Sequence, residues 1–87
     1  MKIDKYEIIK NHCYTDLVYQ RINKKLSVAF SRYKSQALIK KVLEDTALNN
    51  YKKLGKNFYI SNLEHNIKIT VNSNTFRIIT VDRIIKE

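Results

Sequence analysis

The spacing of apolar residues changes once along the chain, and that switch limits the fold more than any other feature. Up to about residue 50 apolar positions recur at three and four, the period of a helix with one buried stripe. Ile3, Tyr6 and Ile9, with Ile8 beside them, predict a short helix ending near Asn11 and His12. Thr15 and Asp16 supply an N-cap and an acidic first turn for a second helix, with Leu17, Val18, Ile22 and Leu26 as its stripe. Ser27 to Tyr33 has no decisive period. A third helix is expected from Ser31 or Ser35, burying Leu38, Ile39, Val42, Leu43 and Thr46 and running out near Asn49 and Asn50.

From Tyr51 onward the period is two. Tyr51 to Leu54 and Lys56 to Ser61 flank Gly55, which reads as a turn position with positive φ. Ile67, Ile69 and Val71 alternate with Lys68, Thr70 and Asn72 after a polar loop from Asn62 to Asn66. Asn72-Ser73-Asn74 predicts a hairpin turn, with Thr75 to Val81 as the return strand. Ile79 and Val81 alternate there with Phe76 and Ile78, so both faces are apolar and a central place in the sheet is expected. The expected fold is α+β. Two to three helices in residues 1–50 pack on one face of a roughly four-stranded antiparallel sheet in residues 51–87, all in a single domain.

Eighty-seven residues suffice for one modest core and no large cofactor cleft. A single glycine cannot build a phosphate-binding loop, and no serine, histidine and aspartate stand in a hydrolase motif. Cys13 is alone, which rules out an internal disulfide, points to a reducing compartment and reads as a small buried residue beside Tyr14. His12 at a helix end and His65 in a polar loop lack ligand-spaced partners, so no metal and no cofactor are expected. Apolar runs are too short for a membrane span or a signal sequence, and a cytoplasmic location is the expectation.

Net charge is +9, but Ile, Lys, Asn and Tyr, all with A/T-rich codons, account for 40 of the 87 residues, so codon usage explains part of the lysine content. The distribution of charge is more informative. No acid lies between Asp16 and Glu44, whereas Arg21, Lys24, Lys25, Arg32, Lys34, Lys40 and Lys41 do, and Lys56 falls in a second acid-free stretch. Arg21, Lys24 and Lys25 share one side of the second helix, away from its apolar stripe, and Lys34 and Lys41 extend the row over the third. Such a row suits the phosphate backbone of RNA or DNA, so Arg21, Lys24, Lys25, Arg32, Lys34, Lys41 and Lys56 are the candidate nucleic-acid contacts.

The segment from Cys13 to Leu26, the segment from Gly55 to Ile60, and Ile67 to Asp82 resemble a family of short bacterial and phage-associated proteins whose function is unknown. The order of elements and the string Arg77-Ile78-Ile79-Thr80-Val81 are similar, at greater distance, to toxins of the RelE and BrnT type in the barnase and EndoU-like superfamily. That second resemblance implies metal-independent cleavage of RNA, with an acidic antitoxin as partner. The basic and aromatic C-terminal cluster of such toxins is reduced here to Arg83 and Lys86. Cleavage needs a base, an acid and a group that stabilises the phosphorane, and Arg77, Tyr59 and Thr80 are the candidates on the open face of the sheet, with Lys68 and Thr70 nearby. Arg77 stands out as the one charge in an apolar strand, needing a phosphate, Asp82 or Glu64 as partner.

Three readings stay open: an RNA-directed module, enzymatic or not; a non-enzymatic inhibitor from a mobile element or phage that covers an acidic surface of a host defence nuclease of the CRISPR type; and a structural homodimer pairing through Ile84 and Ile85.

Overall fold

The computed structural model describes residues 3–84. Helices α1 (Lys5–Asn11), α2 (Asp16–Leu26) and α3 (Arg32–Asp45) and a 3-10 turn (Leu48–Asn50) precede strands β1 (Tyr51–Leu54), β2 (Asn57–Asn62), β3 (Ile67–Asn72) and β4 (Ile78–Arg83). The strands form an antiparallel meander in the order β1-β2-β3-β4.

Local chemistry sets the helix boundaries. The Asp4 carboxylate accepts from the Glu7 N–H at 3.0 Å, and Ser31 Oγ from the Lys34 N–H at 3.1 Å, each satisfying an orphan donor of a first turn. Thr15 holds the N-cap position of α2 without a side-chain hydrogen bond. The stretch that lacked a period is fixed by Asn23, whose side chain donates to the Phe30 carbonyl at 3.2 Å and accepts from the Phe30 N–H at 3.1 Å. Ser27, at φ 55°, closes α2 in the left-handed conformation. α3 stops at Asp45, short of the expected Asn49 and Asn50, because Thr46 leaves the helix in an extended conformation and its hydroxyl donates back to the Val42 carbonyl at 2.6 Å.

The core joins Val18, Ile22 and Leu26 of α2 and Ile39, Val42 and Leu43 of α3 to Phe58, Ile60, Ile69, Val71, Ile78 and Val81 of the sheet. Leu17 and Tyr6, expected in the stripes, are exposed by 60% and 80%. At 100° per residue Leu17 rotates away from the Val18–Ile22–Leu26 side, and Tyr6 lies opposite Ile8, the buried residue of α1.

β4 differs from expectation most. It is an edge strand, and it begins at Ile78 because the turn is longer than three residues. The Asn72 carboxamide oxygen accepts from the N–H groups of Asn74 and Thr75 at 2.8 and 3.0 Å, and Phe76 sits at φ 59°. Thr80 then pairs with Thr70 but Ile78 with Val71, which leaves Ile79 unmatched in a bulge. Ile78 and Val81 thereby both reach the buried side, so the apolar run records a bulge and not a strand covered on two faces.

The exposed edge of β4 is closed by the segment that leads into α2 and by α2 itself, which runs beside the strand in the same direction. The Cys13 N–H donates to the Phe76 carbonyl and the Ile78 N–H to the Cys13 carbonyl, both at 2.9 Å, in an isolated parallel bridge. Arg21 Nη1 donates to the Ile79 carbonyl at 3.0 Å, Lys25 pairs with Asp82 at 3.2 Å, and Arg83 Nη2 donates to the Leu26 carbonyl at 2.7 Å. The helices therefore do not all lie on one face; α2 flanks the sheet. Ile85 and Lys86, invoked for a dimer and for a C-terminal basic cluster, lie outside the described residues, while the Ile84 N–H donates to the Asn66 carbonyl at 2.9 Å.

A polar network ties the end of α3 to the β2–β3 loop. Asn62 Nδ2 donates to Thr46 Oγ1 at 3.0 Å, Asn62 Oδ1 accepts from the His65 N–H at 2.8 Å, and His65 Nε2 lies 3.1 Å from Asp45 Oδ2. The hydrogen bond with His65, and then the Lys41 ammonium at 3.6 Å, hold the Asp45 carboxyl below the usual aspartate range. Among the described residues no helix is long and apolar enough to cross a membrane, and no three His, Cys, Asp or Glu side chains gather as metal ligands.

Two predictions follow from these contacts. Gly55, at φ 59° in the two-residue β1–β2 turn, has no atom within 4 Å of where a Cβ would stand, so only the backbone conformation opposes substitution. Gly55→Ala should cost about 1 kcal/mol, seen as a fall in Tm of roughly 4–8 °C, and Gly55→Asn less. Because the folded carboxyl of Asp45 is depressed, its stabilisation is present above the unfolded value near pH 4 and is lost as pH falls through the folded value. Asp45→Asn should melt below the wild type near neutral pH, and the two Tm curves should converge in strong acid.

Candidate nucleic-acid interface

The residues proposed as a single basic row divide into groups. Arg21, Lys24 and Lys25 line one cleft of about 590 Å³ with Ile79 and Thr80, at the junction of α2 and β4. The β4 bulge presents the Ile79 carbonyl to Arg21, which uses one of its five N–H donors there and keeps the rest for other acceptors. Lys25 pairs with Asp82 at 3.2 Å, and Lys24 has no hydrogen bond, ion pair or ring contact among the described residues. Three cations against one carboxylate leave a local excess of two positive charges. Thr80 adds a buried hydroxyl without a hydrogen-bond partner among the described residues.

The other predicted contacts lie elsewhere. Arg32 pairs with Asp16 at 3.0 Å and stands 4.9 Å from the centre of the Tyr19 ring, while Lys34 lies 4.5 Å from that of Phe30. Lys41 belongs to the Asp45–His65 network. Lys56 is exposed in the β1–β2 turn, where its carbonyl accepts from the Ser73 N–H and hydroxyl, both at 2.8 Å.

Of the three residues considered for catalysis, two are aligned. Tyr59 pairs with Thr70 and Thr70 with Thr80, forming one cross-strand row on the sheet face turned away from the α3 core, with Lys52 next in register. Thr70 is buried within that row. Arg77 stands outside it: it precedes β4, is exposed, and its N–H donates to Thr75 Oγ1 at 3.3 Å. The premise that Arg77 is a guanidinium inside a central strand in need of a partner is thereby removed, and Asp82, one of the partners considered, is engaged by Lys25.

A second cleft, of about 630 Å³, was not anticipated from the sequence. It is lined by His12, Cys13, Tyr14, Tyr19, Tyr33, Gln36, Ala37 and Lys40. Tyr14 and Tyr19 stack with centroids 5.6 Å apart and planes 15° apart, and His12 meets the edge of Tyr14 at 5.3 Å. His12 Nδ1 lies 2.6 Å from the Ile9 carbonyl, which can only accept, so Nδ1 carries a proton. Its Nε2, 3.0 Å from the Tyr14 hydroxyl, then accepts from that hydroxyl when the ring is neutral and donates to it when the ring is charged. Burial, and then the neighbouring Tyr19, push the Tyr14 phenol well above its ordinary range, so it remains neutral. Cys13, expected to be buried, is exposed because its backbone is committed to the β4 edge while its side chain is left outside the core. The signal for this cleft was present as Tyr33, Gln36, Ala37 and Lys40, spaced i, i+3, i+4 and i+7 on the wet side of α3, but a polar helix face ordinarily reads as a solvated one.

No curated protein and no solved structure matches the chain. The model of a family described as a protein of unknown function (DUF3781) matches residues 6–82, an interval from the start of α1 nearly to the end of β4 that takes in both clefts, and the chain belongs to that family.

Proposed function

We propose that the protein is a cytoplasmic RNA-directed binding module that holds the phosphates of a single strand at the α2–β4 junction. The observation that carries this reading is the convergence of Arg21, Lys24 and Lys25 on one cleft, with only Asp82 opposing them. Arg21 and Lys25 are held in place by β4, so less side-chain freedom is lost when an anion arrives, and Lys24 supplies an uncommitted charge. Cleavage of the kind carried out by RelE-like and BrnT-like toxins receives less support. Its base, acid and phosphorane-stabilising group must meet within hydrogen-bond reach, whereas Tyr59 and Thr80 share a row that does not include Arg77.

Titration of a labelled single-stranded RNA at increasing salt tests the reading. Three phosphate contacts give a log–log slope near −2, or about a twenty-fold loss of affinity between roughly 50 and 200 mM salt. Lys24→Ala should reduce the slope by about 0.7 with no change in Tm. An affinity that ignores salt, or displacement of RNA by equimolar polyglutamate, would turn the assignment toward an acidic protein surface.

A further inference from the structure

The cleft containing Tyr33 lies on the opposite flank of α2 from the cationic one. Tyr19 and Arg21 are two residues apart and hence about 200° apart around the helix, with exposed Gln20 and Lys24 on the ridge between. One wall is the Tyr14–Tyr19 stack. Tyr19 already has Tyr14 on one face and the Arg32 guanidinium over its ring at 4.9 Å, which braces the wall and brings a cation to its rim. The other wall is the face of α3 that carries Tyr33, Gln36, Ala37 and Lys40. Tyr33 is 72% exposed and has no ring partner among the described residues. Gln36 is held by donation from Nε2 to the Tyr19 hydroxyl at 2.6 Å, and its Oε1 has no partner among the described residues. Lys40 likewise has no ion pair there.

The cleft therefore combines an exposed aromatic face, a positioned amide, a small apolar side chain at Ala37 and a cation. These fit a flat ring with a polar edge that carries an anionic substituent. We propose that the cleft takes one unpaired nucleobase of a single strand, stacked on Tyr33 and read at its edge by Gln36, with an adjoining phosphate against Lys40. A paired base cannot enter, because its faces are already stacked within the duplex and its edge is engaged. An aromatic side chain of a protein would fill the ring position but leave Lys40 unmatched, whereas Arg32 already has Asp16. The proposal rests on the RNA-directed reading and adds a base-binding subsite across α2 from the phosphate cradle.

Two probes separate the subsites: a short oligoadenylate, which has bases and phosphates, and inorganic polyphosphate, which has only the charge. Tyr33→Ala, at an exposed position and therefore neutral for Tm, should weaken oligoadenylate about ten-fold and leave polyphosphate within about two-fold. Tyr33→Phe should bind both as the wild type does, and Lys24→Ala should weaken both. If Tyr33→Ala binds oligoadenylate as the wild type does while Lys24→Ala weakens both probes, the base subsite is refuted and the phosphate cradle stands. If oligoadenylate binds in a Tyr33-dependent way while polyphosphate does not bind, the cradle falls and the base subsite stands. If neither probe binds the wild type, or polyglutamate outcompetes oligoadenylate, both are overturned.

Discussion

The fold depends on how the last strand is finished. β4 carries Ile78 and Val81 into the core, so it cannot be left to fray, yet as an edge strand it presents unpaired backbone groups to solvent. Cys13 takes the Ile78 N–H, and the Phe76 carbonyl just before the strand, and Arg21 takes the Ile79 carbonyl. With backbone hydrogen bonds at one end and the Arg83–Leu26 contact at the other, α2 is held in register along the strand, and Val18, Ile22 and Leu26 are delivered to the sheet.

The same arrangement creates the candidate interface. A guanidinium that caps an edge carbonyl must sit at the protein surface, and the residues one turn further along the helix, Lys24 and Lys25, then stand over the same junction. On its other flank α2 faces α3 across the Tyr14–Tyr19 pair, so one helix contributes to two clefts of different chemistry: one cationic, the other aromatic with a cationic rim. The Asp45–His65–Lys41 network, by contrast, uses its charges internally to fasten α3 to the β2–β3 loop.

Much of this was legible in the residues. The switch of period at residue 50 marks the division between helices and strands, Ser31 is one of the two starts expected for α3, and Gly55 marks a turn by its need for positive φ. What escaped are features in which one segment answers another far away. The bulge at Ile79 makes an in-phase pair of Ile78 and Val81, which alternation alone reads as two apolar faces. Cys13 looks like a core residue until its backbone is seen to serve the β4 edge. Arg77 looks isolated among apolar neighbours until Phe76 is seen at φ 59° in a turn. The wet face of α3 gains meaning only once Tyr14 and Tyr19 stand opposite it.

The contacts that fasten α2 to β4 join residues 57 and 58 positions apart in the chain. A nascent polypeptide completes α2 well before β4 has been made, so until then the helix lacks its hydrogen-bonding and ion-pair partners on that strand. The four strands can assemble locally through short turns, but the docking of α2 has to wait for the final one and must close a loop that includes nearly all the intervening residues. The cationic cleft, which takes Ile79 and Thr80 from β4, forms only once that strand has docked, whereas the lining of the aromatic cleft comes entirely from residues 12–40.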